Sequence, residues 1–153
     1  RFVLSSDAGY GFIGKLEDMV TKNKAGKSVL SVPKGGIVNQ PALLVDEKHD
    51  YIAAFSNEGR LLIFPVADLP SLGRGKGVKI MNIPKARVES REEFMAYVRV
   101  FSEVDTLVVQ SGKRTLNLKI DDLEHYRGER ARRGLKLPRG FQKVDGVLVE
   151  RGD

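Results

Sequence analysis

The residues with the clearest chemical potential are lysines and arginines, which are grouped in three segments of the sequence. Residues 20–34, 70–87 and 127–143 hold four, five and seven basic residues, against a single acid, Glu129. Clustered ammonium and guanidinium groups attract polyanions, because binding releases counterions from nucleic acid or draws the protein to anionic lipid. The formal net charge of +6 has the same sign. The basic segments favour nucleic acid as the partner, although a solvated basic face would have the same composition.

Glycines within two of these segments, Gly73, Gly75, Gly77, Gly128 and Gly134, let backbone amides approach an anion. The predicted DNA-binding residues are Lys22, Lys24, Lys27, Arg74, Lys76, Lys79, Arg127, Arg130, Arg132 and Arg133. Contacts to phosphate position a protein on a duplex without reading its sequence. We therefore expect DNA shape and bendability to matter more than base identity.

The basic segments follow a repeated pattern, which identifies the elements that must hold them. Residues 9–19, 59–69 and 112–123 each contain a turn glycine, a strand and an aspartate followed by an apolar residue. These aspartates, Asp18, Asp68 and Asp122, are 50 and 54 residues apart. Since each basic segment follows one of them, we expect all three segments on the same rim of a repetitive fold.

The repeat predicts an all-β, propeller-like fold with four short strands in each unit. Alternating apolar residues predict strands with one face on a core, as in Leu62, Phe64 and Val66. The predicted blades cover roughly residues 2–50, 51–105 and 106–150 of a single domain, residues 1–153. Three blades cannot close a conventional ring, so we expect an open or truncated array. A short helix is predicted near residues 91–97, with a single turn after each aspartate as the alternative.

No catalytic constellation emerges from the sequence. It has no cysteine, which excludes disulfides, thiolate nucleophiles and cysteine-ligated zinc. Its two histidines, His49 and His125, lie in different repeats without a recurring serine or metal-ligand partner. Residues 25–28 are similar to the end of a phosphate-binding P-loop, but Thr21 stands where that motif needs glycine. We expect no active site, no metal and no cofactor in this chain.

Three runs of residues carry a resemblance to a known family. Residues 6–12, 68–70 with 73–77, and 128–134 resemble successive blades of the C-terminal domain found in the A subunit of bacterial topoisomerase IV, with related blades in the A subunit of gyrase. The resemblance implies a β-pinwheel, a propeller-like fold whose blades exchange strands, with a basic outer rim that binds and bends double-stranded DNA. The glutamine-led box with which gyrase wraps DNA has no full counterpart here, which favours topoisomerase IV over a gyrase wrapping domain.

The resemblance also implies a larger enzyme, an ATP-dependent type II topoisomerase that relaxes supercoils and decatenates chromosomes during segregation. ATP and Mg²⁺ would bind elsewhere in that enzyme, and its DNA-cleaving tyrosine would lie in the N-terminal part of the polypeptide that carries these blades. The implied partners are the enzyme's B subunit in a heterotetramer, a second A subunit in a homodimer, and chromosome-maintenance proteins such as a condensin. A protein-docking propeller is the rival hypothesis for this chain.

The beginning of the chain and its apolar runs lead to two further expectations. Because the chain starts at Arg1, without an initiator methionine, and enters an apolar run at once, we expect it to be part of a longer protein. Its longest apolar run is too short to cross a bilayer. We expect a cytoplasmic, nucleoid-associated protein, with peripheral association with the inner membrane as the alternative.

Overall fold

Short antiparallel strands arranged in three sheets dominate the computed structural model, which describes residues 1–15 and 30–152. The strands are β1 (Phe2–Ser6), β2 (Tyr10–Gly14), β3 (Ala42–Leu43), β4 (Tyr51–Ser56), β5 (Arg60–Pro65), β6 (Val78–Lys79), β7 (Met95–Phe101), β8 (Thr106–Ser111), β9 (Arg114–Leu118), β10 (Leu135–Lys136) and β11 (Gly146–Glu150). The predicted all-β, propeller-like class is confirmed.

Each sheet is built around one hairpin, and these hairpins are β1–β2, β4–β5 and β8–β9. Their turns contain Gly9, Gly59 and Gly112, all with a positive φ. This backbone region is open to glycine at little cost and strained for other residues. The turn glycines of the repeat therefore do what the sequence pattern predicts: they reverse the chain and fix the register of the two paired strands.

Strands are exchanged between repeats. The strand orders are β3-β1-β2-β6, β10-β5-β4-β7 and β11-β8-β9. Thus β6, from the second repeat, completes the first sheet, and β10, from the third repeat, completes the second sheet. Among the described residues the third sheet has three strands, and β9 has no strand on its outer edge. This is the exchange that a β-pinwheel requires.

The core consists of two main layers, one on each side of the second sheet. Leu62 and Phe64 of β5 pack into the layer shared with the first sheet. Leu61 and Ile63 point the opposite way, into the layer shared with the third sheet. The expectation of a single buried face for this strand is therefore wrong. A sheet sandwiched between two others must be apolar on both faces, which explains the uninterrupted apolar run.

The helices differ from the prediction. The segment 91–97 is not helical: the chain forms α1 (Lys85–Glu89), turns at Arg91 with φ 63°, and enters β7 at Met95. Arg91 and Glu93 of this segment are instead partners in long-range ion pairs, with Asp7 and Arg133 respectively. Short turns occur at two of the repeated aspartates, as a 3₁₀ turn (Val66–Asp68) and as α2 (Ile120–Leu123) with a following 3₁₀ turn (Glu124–Tyr126). Asp18 lies outside the described residues.

The two exchanged strands, β6 and β10, span only two residues each. Of the segment 29–32, Leu30 forms a parallel bridge with Gly75. Within the described part of the chain, no helix has the length and apolarity needed to cross a membrane.

Candidate nucleic-acid interface

The loop that leads into β6, together with the end of β6, carries three of the predicted phosphate contacts, Arg74, Lys76 and Lys79. Arg74 and Lys76 lie on this loop and Lys79 ends β6, where it is half-buried. No described residue forms an ion pair with any of the three. Because a cation that is not neutralised by a carboxylate keeps its full attraction for phosphate, this loop is the strongest part of the candidate interface.

Tyr10 organises the ammonium groups of this loop. The β2–β6 register places Tyr10 opposite Lys79. The Lys76 Nζ lies 4.6 Å from the centroid of the Tyr10 ring, and the Lys79 Nζ lies 5.9 Å from it. The Lys79 Nζ also donates a hydrogen bond to Asn82 Oδ1 at 3.4 Å. Cation–π contacts of this kind hold both charges next to one aromatic ring while leaving their outer sides open to an anion.

Backbone contacts hold the same loop against the first sheet. The Ile13 amide donates to the Pro70 carbonyl at 2.9 Å, and the Leu72 amide donates to the Ile13 carbonyl at 3.0 Å. At Gly77, with φ +83°, a Cβ atom would lie 2.1 Å from the Gly11 carbonyl oxygen. The close approach therefore requires glycine, and it brings β6 onto the edge of β2.

Arg127 and Arg132 lie in the third basic segment. Arg127 pairs with Glu124 at 3.0 Å, and its guanidinium lies 5.0 Å from the centroid of the Tyr51 ring. Arg132 pairs with Glu129 at 3.1 Å. The hydrogen bond to Glu124 raises the pKa of Arg127. Exposed pairs of this type contribute little energy, so a phosphate can replace either carboxylate.

Arg130 and Arg133 have partners inside the protein. Arg130 donates from Nε to the Asp68 carbonyl at 3.1 Å and from Nη1 to the Lys79 carbonyl at 2.7 Å. It thereby braces the second basic segment against the third. Among the described residues its Nη2 has no partner, and that group remains for a phosphate.

Arg133 is bound more deeply than Arg130, because both of its terminal nitrogens donate to the carboxylate of Glu93. The Glu93 side chain is 1% exposed and also pairs with Arg87 at 3.3 Å. Burial alone would raise the pKa of Glu93, but hydrogen bonds from Arg133 and Ser56 and the charges of Arg133 and Arg87 hold it below its usual value. Arg133 thus neutralises a carboxylate buried inside the protein. Its contact with DNA stays a prediction.

The remaining predicted contacts, Lys22, Lys24 and Lys27, lie outside the described residues. The structure adds residues that sequence reasoning did not single out. Tyr10, Lys34, Asn82 and Lys85 line a cavity together with Lys76 and Lys79. Lys34 and Lys85 belong to the basic segments, but only the pairing of β6 with β2 shows that they come together. Among residues 1–15 and 30–152, no group of three or more His, Asp or Glu side chains could hold a metal ion.

Comparison with known proteins identifies the family to which this chain is similar. Residues 50–90 match the family model described as DNA gyrase C-terminal domain, beta-propeller. The chain is 59% identical over 149 residues to the A subunit of DNA topoisomerase 4 from Pseudomonas aeruginosa, an alignment that covers 97% of the chain. It is 39% identical over 150 residues, 98% of the chain, to the A subunit of DNA topoisomerase 4 from Escherichia coli. In both cases the aligned part is 20% of the relative's length.

Solved structures agree with the sequence comparisons. The C-terminal domain of E. coli ParC superposes with a TM-score of 0.89 at 40% identity, covering 97% of this chain and 60% of that one. A solved gyrase A C-terminal domain superposes with a TM-score of 0.73 at 16% identity, covering 98% of this chain and 48% of that one, and this likeness shows the fold alone. With its exchanged strands and repeated basic loops, the chain belongs to the family of β-propeller C-terminal domains carried by the A subunit of DNA topoisomerase 4.

Proposed function

We propose that this chain is an accessory module that binds and bends duplex DNA for a type II topoisomerase, and that it is not itself catalytic. The observation that carries the proposal is the loop of residues 73–79. This loop presents Arg74, Lys76 and Lys79 without a carboxylate partner among the described residues, and Tyr10 fixes two of the three charges. Family membership supports DNA as the polyanion, ahead of a lipid surface.

Lysine and arginine in these positions bind the phosphate backbone and leave the base edges unread. Affinity should then depend steeply on salt and weakly on base sequence. A curved row of such loops favours a duplex that bends easily, because bending brings more phosphates within reach at a cost set by DNA stiffness. In the parent enzyme this would help to position the duplex for strand passage.

The parent enzyme belongs to the same proposal, since the chain spans about a fifth of the length of the relatives it matches. We infer a topoisomerase IV, rather than a gyrase, that relaxes supercoils and unlinks chromosomes with ATP and Mg²⁺ bound outside this chain. Its assembly would combine two copies of the polypeptide that carries this chain with two copies of the enzyme's B subunit. Its place would be the nucleoid in the cytoplasm.

A salt titration of binding to a linear duplex tests the DNA-binding role. The test variant carries Arg74→Gln, Lys76→Gln and Lys79→Gln. The control carries Lys48→Gln, Lys113→Gln and Lys119→Gln, which removes the same charge from exposed positions outside the three basic segments. We expect the slope of log K against log salt to fall by roughly 0.9 for each lost phosphate contact in the test variant. The control should keep the slope of the unmodified chain.

Two results would contradict the proposal. Equal losses in the two variants would mean that net charge, and not the loop of residues 73–79, drives binding. A base-sequence preference altered by the test substitutions would mean that these side chains read bases. Binding of a protein partner that survives the same substitutions would favour the docking hypothesis, for which the outer edge of β9, unpaired among the described residues, offers a site for strand addition.

A further inference from the structure

A cavity of about 380 Å³ opens between the first sheet and α1. Residues from three separate parts of the chain line it. Its polar lining consists of Tyr10, Lys34, Lys76, Lys79, Asn82 and Lys85, and its apolar wall includes Ala8, Ile83 and Val88. No acidic residue among those described lines it. Glu89, the acid nearest along α1, packs against Gly35 and stays outside the lining.

Four lysines around one cavity repel one another unless a bound anion neutralises part of their charge. Lys76 and Lys79 are held over the ring of Tyr10, and Lys79 also binds Asn82 Oδ1. With Oδ1 taken by this hydrogen bond, the amide Nδ2 of Asn82 is a donor for which the described residues provide no acceptor. Ammonium groups, an amide N–H and a phenol next to an apolar wall match the hydrogen-bonding pattern of a phosphate group.

We propose that this cavity seats one phosphate group of the DNA backbone and anchors the duplex at the inner end of the loop of residues 73–79. The inference rests on the proposed function and deepens it. A concave site admits a single group projecting from the surface of a duplex. The four lysines therefore act on one phosphate, whereas lysines spread over a flat face would each meet a different one.

Asn82→Asp tests the anchor without removing a lysine. The new carboxylate would pair with Lys79 and place a negative charge where the phosphate sits. Asn117→Asp is the matched control, because it makes the same charge change at an exposed position on β9. With a linear duplex of about 30 base pairs, we expect Asn82→Asp to weaken binding on the order of tenfold and to reduce the salt slope by about 0.9. Asn117→Asp should stay within about twofold of the unmodified chain.

The number of phosphates is tested with Lys34→Gln combined with Lys85→Gln. These positions lie outside the loop of residues 73–79, so they test the cavity separately from the loop. Because all four lysines act on one phosphate in this proposal, we expect the salt slope to fall by at most about one, and not by about two. Lys48→Gln combined with Lys113→Gln is the charge-matched control, because both positions are exposed and lie outside the basic segments. A fall of about two would overturn the single-phosphate anchor.

The remaining outcomes separate the two proposals. If the unmodified chain binds DNA and Asn82→Asp equals Asn117→Asp, the anchor is wrong while the DNA-binding function stands. If the unmodified chain binds no DNA even at low salt, both are wrong. A titration with inorganic pyrophosphate, followed through the Asn82 side-chain amide by NMR, separates the sources of phosphate. Tight pyrophosphate binding together with unchanged DNA binding in Asn82→Asp would mean that the cavity takes a free anion, which overturns the anchor.

Discussion

The first two hairpins and the third hairpin share a sequence pattern, but they have different surroundings. The Gly9 carbonyl accepts a hydrogen bond from the Ile80 amide at 2.7 Å, and the Gly59 carbonyl accepts one from the Leu137 amide at 2.8 Å. In both cases the donor directly follows an exchanged strand. At Gly112, by contrast, no described residue other than its two chain neighbours has an atom within 4 Å of the position that a Cβ would occupy. The covering strand is thus what distinguishes the two kinds of hairpin.

The exchanged strands also bring lysines to the hairpins that they cover. Lys79 of β6 lies opposite Tyr10, and Lys136 of β10 lies opposite Arg60. Each covered hairpin therefore receives a lysine at the same register position from the following repeat. The basic rim therefore depends on the strand exchange, because each covering strand lies in the same basic segment as the loop that precedes it.

The largest expected effect concerns the close approach of β6 to the first hairpin. Gly77→Ala would put a Cβ atom 2.1 Å from the Gly11 carbonyl oxygen at a φ of +83°. A side chain in left-handed backbone costs about 1–3 kcal/mol before any clash. We expect a loss of more than about 3 kcal/mol in the free energy of unfolding, since the covering strand must shift. Urea denaturation measures it.

Gly112→Ala provides the contrast, because that turn has a positive φ and no described neighbour within 4 Å of the added atom. Its expected cost is about 1 kcal/mol, from backbone strain alone. Similar losses at Gly77 and Gly112 would show that β6 is not packed on β2 as described.

Arg133→Gln is expected to have the next largest effect. The substitution leaves the buried carboxylate of Glu93 with Arg87 as its remaining guanidinium partner among the described residues. Breaking a buried pair costs about 3–5 kcal/mol when nothing compensates the remaining charge, and Arg87 should reduce that to about 2 kcal/mol. Arg132→Gln, which breaks an exposed pair, should cost less than about 0.5 kcal/mol. A small loss for Arg133→Gln would mean that the fold does not depend on this ion pair.

The same carboxylate makes stability depend on pH. Because the pKa of Glu93 is depressed in the folded protein, the pair stabilises the fold above the unfolded-state pKa of about 4.3, and this contribution is lost as pH falls through the lower folded value. We expect the free energies of unfolding of the unmodified chain and of Arg133→Gln to converge as pH is lowered from about 6 to about 3. Urea midpoints across this range measure it, and a constant difference would exclude the ion pair as the cause.

How much of this fold can be predicted from the sequence depends on how far apart in the chain the contacting residues lie. Hairpin turns are local, so glycine followed by alternating apolar residues is enough to locate β4–β5 and β8–β9. The polar face of β9 is also readable, since Thr115 and Asn117 are exposed as their alternation predicts. The sheet to which β6 belongs cannot be predicted from the sequence, because a strand of two residues is too short for its apolar pattern to identify its partner strand.

The segment around Arg91 shows the same limit. A short helix is predicted at this segment, yet Arg91 pairs with the buried Asp7, 84 residues earlier in the chain, at 2.7 Å. Local propensity carries no information about such a partner. For the candidate site, the basic segments were predictable as compositional clusters. The cavity was not, because it needs Tyr10 and Lys79 to meet through an exchanged strand.

The smallest expected effect compares the two exchanged lysines in DNA binding. Lys79 is half-buried and held by Tyr10 and Asn82, whereas Lys136 is exposed. A charge already fixed in place loses less side-chain entropy on binding phosphate. Lys79→Gln should therefore weaken duplex binding several-fold, while Lys136→Gln should change it by less than about twofold. Fluorescence anisotropy at constant salt distinguishes these values. Equal effects would mean that the register position alone determines how much each lysine contributes to duplex binding. The Tyr10 ring would then add nothing to the contribution of Lys79.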